Sequence, residues 1–222
     1  MKFINSSVDG YKGMKIPYTL YGKTNHSKDL AILLPGSGYT VNSPVFHYSS
    51  DIFFNHSIDI LEVNYPYKHE FYNDFSSEEL YTAVKFDSRK VIDTVLETNF
   101  YNNFYFIGKS LGTIALSSLL SKDVFKDAKV IWLTPILNCN EVYEAMIKNK
   151  HEGLCFIGDN DHFYTEELFL KLRNNETIQS KLLKGVNHSL DNDDDPIKSI
   201  DVLKTIITDI DKFIIKTTSE EN

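Results

Sequence analysis

Short, almost wholly apolar runs alternate along this chain with longer stretches whose apolar residues recur at helical spacing. Asp29–Leu34, Ile58–Val63, Phe104–Ile107, Lys129–Leu133, Leu154–Ile157 and Ile178–Leu183 are too short for buried helices, and most lack the polar alternation of a one-sided strand. Strands buried on both faces and separated by helices pair in parallel. The expected fold class is therefore α/β: a doubly wound, mostly parallel sheet with helices on both faces. The first two runs, Lys2–Ser7 and Lys15–Tyr21, flank Gly10-Tyr11-Lys12-Gly13. Two glycines in so short a gap predict a turn, hence an antiparallel N-terminal hairpin at one sheet edge.

Helix signals fill the gaps. One helix is expected over Pro44–Phe54. Another starts at the capping box Ser76-Ser77-Glu78-Glu79 and carries an apolar stripe through Leu80, Val84, Val91 and Val95. A third follows Gly112 with Ile114, Leu116, Leu119 and Leu120. The last opens at Asp195-Pro196, with Asp as N-cap and Pro at the first helical position. Its expected sheet-facing residues are Ile200, Leu203, Ile207, Ile210 and Ile214. The 222 residues suit one domain over 1–216, with a polar tail over 217–222.

Lys and Arg total 23 against 31 Asp and Glu, a net charge of −8 with no basic cluster. This argues against nucleic-acid and anionic-membrane partners. No apolar run is long enough to span a bilayer, and the N-terminus carries no signal-peptide pattern, so a cytoplasmic location is expected. Cys139 and Cys155 lack metal-type spacing and are expected as free thiols in a reducing compartment. The acidic run Asp191–Asp195 lacks the spacing of a calcium loop and reads as a solvated loop ending in a helix cap.

Chemistry concentrates where a strand meets a helix. Gly108-Lys109-Ser110-Leu111-Gly112 is a G-x-S-x-G pentapeptide between an apolar strand and an apolar helix, the context of a nucleophile elbow. Small neighbours let the chain turn sharply around Ser110. A hydroxyl needs a base, and His188 lies beyond the last strand, where loops at strand C-terminal ends share one rim. A carboxylate must orient that base. Asp161, in Gly158-Asp159-Asn160-Asp161, is preferred, with Asp159 the alternative. A metal site of Asp159, Asp161, His162 and His188 would leave the elbow unexplained. Pro35-Gly36-Ser37-Gly38 follows an inner strand and can supply an oxyanion-hole N–H from Ser37, or from Gly38, to complement that of Leu111. Lys109 is read as pairing locally, and Tyr39, His47, Tyr65, Tyr67, Thr134-Pro135-Ile136 and Phe163 as candidate pocket residues.

The order of these features resembles the α/β-hydrolase superfamily: a small-residue loop, the elbow, an Asp after a late strand, and Gly185-Val186-Asn187-His188 before the last helix. The resemblance covers nearly the whole chain. It implies Ser110, His188 and Asp161 as catalytic residues, Ser37 and Leu111 as oxyanion donors, no cofactor and no metal. Two departures stand out. Pro35-Gly36 replaces the His-Gly that many members carry, and the segment between Leu133 and Leu154 is too short for a large lid. A small capless esterase, thioesterase or dienelactone-hydrolase-like enzyme with a small-molecule acyl substrate is implied. The alternatives are an amide or peptide hydrolase on the same triad and a non-catalytic binding protein of the same fold.

Overall fold

The computed structural model describes residues 1–24, 27–148 and 150–219. Its strands are β1 (Lys2–Asp9), β2 (Lys15–Gly22), β3 (Asp29–Leu34), β4 (Asp59–Val63), β5 (Asn103–Lys109), β6 (Lys129–Leu133), β7 (Gly153–Gly158) and β8 (Ile178–Leu183). They form one sheet in the order β1-β2-β4-β3-β5-β6-β7-β8. The hairpin β1–β2 occupies one edge, β2 meets β4 antiparallel, and every later pairing is parallel. The expected fold class is the one observed.

The helices are α1 (Pro44–Asn55), α2 (Ser77–Leu96), α3 (Leu111–Leu119), α4 (Asn140–Lys148), α5 (Glu166–Leu172) and α6 (Pro196–Ser219). Strand alternation splits the core between the two faces. Leu30, Ile32, Leu34, Phe104, Phe106, Val130 and Trp132 pack with residues of α2 to α5. Ala31, Leu33, Tyr105, Ile107, Ile131 and Leu133 pack with those of α1 and α6. Both faces of the inner strands are thus covered, which explains their continuous apolar sequence.

Ser76 caps α2 by accepting the Glu79 N–H at 3.1 Å. The reciprocal arm of the expected capping box is diverted, because the Glu79 carboxylate pairs with Lys12 instead. Asp195 caps α6, its Oδ1 accepting the N–H groups of Ile197 and Lys198. The buried stripe of α6 runs through Ile206, Ile210, Phe213, Ile214 and Thr217, whereas Ile200 is 59% exposed. Ile210 and Ile214 are buried as expected, and Leu203 and Ile207 pack partly buried against the same core, so only Ile200 departs from the expected face. The helix continues to Ser219, past the expected boundary at 216. Buried Thr217 satisfies its hydroxyl by donating to the Phe213 carbonyl at 3.1 Å. Cys139 and Cys155 are free thiols, and Cys155 is buried. No helix among the described residues is long and apolar enough to cross a membrane.

Parallel pairing places the C-terminal ends of β3, β5, β6, β7 and β8 at one rim. The ladder continues into the loops beyond them. Ser110 N–H donates to Leu133 O, Thr134 N–H to Phe156 O, and Asp159 N–H to Leu183 O. The loops after β5, β6 and β7 are thereby each held by the strand next to them.

Candidate active site

Ser110 stands between β5 and α3 with φ 50° and ψ −118°, a left-handed conformation that costs a non-glycine residue roughly 1–3 kcal/mol. The strain is held in place by both neighbours: its N–H is bound to Leu133 O, and its own carbonyl accepts the Thr113 hydroxyl at 2.6 Å. Close contact of backbones is the reason for Gly112. A Cβ there would lie 1.9 Å from the Leu34 carbonyl oxygen, so α3 starts hard against the end of β3.

Three distant parts of the chain meet above this turn. His188 Nε2 lies 2.8 Å from Ser110 Oγ, and His188 Nδ1 lies 2.9 Å from Asp161 Oδ2. The carboxylate accepts from Nδ1–H, which leaves the Nε2 lone pair facing the serine hydroxyl; this tautomer is assigned from the network. Asp161 is only 4% exposed, and its second oxygen accepts the Phe163 N–H at 2.9 Å. The rings of Phe163 and His162 pack against His188, with centroids at 5.2 and 4.6 Å.

Asp159 does different work. Its Oδ1 accepts the Gly185 N–H at 2.6 Å and braces the loop that carries His188. Asn187 organises the rest of that loop, since its side-chain oxygen accepts the N–H groups of Ser189 and Asp191. The sequence reading passed over Asn187; an Asn next to the candidate base in a loop was the available signal.

Ser37 and Gly38 line one wall of a cavity of about 250 Å³, with Gly36, Tyr39, Lys109, Ser110, His188 and Ser189 completing it. Among the described residues neither the Ser37 nor the Leu111 N–H is taken up by a backbone acceptor. Leu111 is the first residue of α3, where N–H groups have no partner within the helix.

Several candidate pocket residues lie elsewhere. Tyr67 is buried, stacked on Tyr65 at 4.8 Å, and its hydroxyl donates to Asp87 at 2.9 Å. These rings belong to the core under α2. His47 is exposed and faces Asp51. Of the other histidines, His56 faces Asp211, His69 accepts the Phe71 N–H, and His151 bonds the Phe125 carbonyl. His26 lies outside the described residues. A larger cavity of about 420 Å³ sits between β7, β8 and α6, but none of the site residues lines it.

Asp161, His162 and His188 each offer a metal-ligand atom within 4.8 Å of the others. Both ring nitrogens of His188 are already engaged by Ser110 and Asp161, however, and Asp159 is committed to Gly185. The donor set fits a proton relay better than an ion.

Lys109 pairs locally, as read from the sequence. It is 1% exposed, and its ammonium donates to Thr134 Oγ1 at 2.9 Å and to the His188 carbonyl at 2.7 Å. Burial lowers its pKa to about 8, against the opposing pull of the Asp161 and Asp191 carboxylates.

No family model and no curated protein matches the sequence. Solved structures do match. Est1E from Butyrivibrio proteoclasticus superposes with a TM-score of 0.72 at 14% identity, over 97% of this chain and 99% of that one. The chain has the α/β-hydrolase fold. An alpha-beta serine hydrolase homologue from Coxiella burnetii shares it with a TM-score of 0.70 at 13% identity, over 94% of this chain and 98% of that one. A Xanthomonas campestris a/b serine hydrolase without lid matches at 0.65 and 12% identity, over 96% and 95%. In this chain the segment 134–152 joins β6 to β7, and its helix among the described residues is the nine-residue α4.

Proposed function

We propose that the chain is a serine hydrolase that cleaves small carboxylic esters or thioesters through an acyl-enzyme. The observation that carries this reading is the continuous run of hydrogen bonds from Asp161 through His188 to Ser110, ending at a small open cavity. Structural neighbours described as serine hydrolases and esterases support it.

His188 Nε2 takes the Ser110 proton as Oγ attacks the acyl carbon. Asp161 steadies the imidazolium. The carbonyl oxygen, now negative, is received by the N–H groups of Ser37 and Leu111, with the start of α3 adding its positive end. His188 then returns its proton to the departing alkoxide or thiolate. In the second half it deprotonates a water that attacks the acyl carbon; the carboxylic acid leaves and Ser110 is restored. A cavity of about 250 Å³ lies below the usual size of drug-sized ligand sites and suits short acyl groups.

The test is turnover of p-nitrophenyl acetate and butyrate together with fluorophosphonate labelling, wild type beside Ser110→Ala. The wild type should turn over and label, and the variant should do neither. Labelling that survives in Ser110→Ala would overturn the assignment. A parallel amide and peptide panel decides between ester and amide chemistry.

A further inference from the structure

We infer that Lys109 is the positioning residue of this site, a buried cation that ties the His188 loop to the nucleophile strand; the inference rests on the serine-hydrolase reading. Lys109 ends β5, where alternation directs Tyr105, Ile107 and Lys109 to the same face of the sheet, against residues of α1 and α6. A lysine in that register is surrounded by protein and has 1% of its surface exposed. Its ammonium touches three separate pieces of the rim. It donates to the His188 carbonyl, donates to Thr134 Oγ1 in the loop after β6, and lies 4.6 Å from the centre of the Tyr39 ring, beyond the Ser37 loop.

Two of these pieces are strained. Thr134 has φ 43°, and Leu190, two residues past His188, has φ 69°. A β-branched residue persists in that region only when its surroundings hold it there. The charged hydrogen bonds from Lys109 supply such a constraint at Thr134, and at His188 they fix the backbone from which the imidazole hangs. Besides the Tyr39 ring, the titratable groups that act on the ammonium are Asp161 after β7 and Asp191 in the His188 loop; His188 meets it through the backbone carbonyl. The Tyr39 phenol is pushed up by burial and stays neutral. Loss of the ammonium proton near pH 8 leaves an amine with weaker hydrogen bonds and no attraction for the aromatic ring.

The experiment compares wild type, Lys109→Met and Thr134→Val by kcat and KM for p-nitrophenyl acetate across an alkaline pH series. It adds the downfield proton NMR signal of the His188 Nδ1–H. In Lys109→Met, kcat should fall roughly 10- to 100-fold with KM changed by less than about threefold, the scale of a misplaced base. The wild-type loss of rate above about pH 8 should vanish in that variant, and the Nδ1–H signal should broaden or shift. Thr134→Val keeps Lys109 and removes one partner; kcat should fall several-fold and the alkaline limb should move to lower pH. If Lys109→Met does not fold, Thr134→Val decides. Folded variants with the wild-type kcat, limb and NMR signal would overturn the proposal. A wild type that neither labels nor turns over would instead remove the hydrolase reading beneath it.

Discussion

Asp159 Oδ1 accepts the Gly185 N–H at 2.6 Å, which ties the loop after β7 to the loop that carries His188. The carboxylate two residues later faces His188 itself. Two acids with similar sequence surroundings therefore have separable roles. Asp161→Asn should lower kcat roughly 10³- to 10⁴-fold, because an amide favours the wrong imidazole tautomer. Asp159→Asn keeps an acceptor for Gly185 and should cost less than about tenfold. Esterase assays of both variants check this; equal losses would mean the roles are not divided.

Much of this was legible in the chain. Continuous apolar runs announced inner parallel strands, and small residues around Ser110 announced a sharp turn. The cross-bracing was harder to read. Gly185, Asn187 and Thr134 act through backbone groups of loops far away in sequence, and no periodicity carries that information. Tyr65 and Tyr67 misled because aromatic loop residues near a rim suit a pocket and a core equally; the buried Asp87 decided for the core. On α6 only Ile200 was misplaced, since it lies near the start of the helix, before the helix meets the core that Leu203, Ile207, Ile210 and Ile214 reach.

Gly112 and Gly158 are sites of close backbone approach. A Cβ on Gly112 would lie 1.9 Å from Leu34 O, and one on Gly158 would lie 1.8 Å from Val186 O. Neither obstacle is a flexible side chain, so Gly112→Ala and Gly158→Ala should each destabilise by at least about 2–3 kcal/mol, roughly 4–12 °C in Tm at this chain length. Thermal melts with unchanged Tm would show that the strands yield more easily than this packing implies.

Treatment with a chelator should leave activity unchanged. The three-residue group Asp161, His162 and His188 has its central imidazole occupied on both nitrogens. An added transition-metal ion should inhibit, since it must displace Ser110 or Asp161 from His188 to bind there. Activity that is lost on dialysis against EDTA and restored by a divalent ion would reverse this reading of the cluster.

Asp87 braces the fold away from the site, and its titration gives a prediction with a definite sign. It is fully buried on α2, where Oδ1 accepts the Tyr11 N–H at 2.6 Å and Oδ2 accepts the Tyr67 hydroxyl at 2.9 Å. Burial raises its pKa above the ordinary aspartate value, and these two hydrogen bonds only partly oppose the rise. The folded state therefore holds the proton more tightly than the unfolded chain does. That contribution to stability is complete below the unfolded pKa and is lost as pH rises through the folded one. Asp87→Asn cannot ionise, so it should gain stability relative to wild type as pH rises from about 4 to 7. Asp87→Ala leaves a buried N–H and a buried hydroxyl without acceptors and should cost about 2–4 kcal/mol across that range. Urea unfolding at several pH values measures both effects. A wild-type-to-Asn difference that does not change with pH would mean that Asp87 titrates as though it faced water.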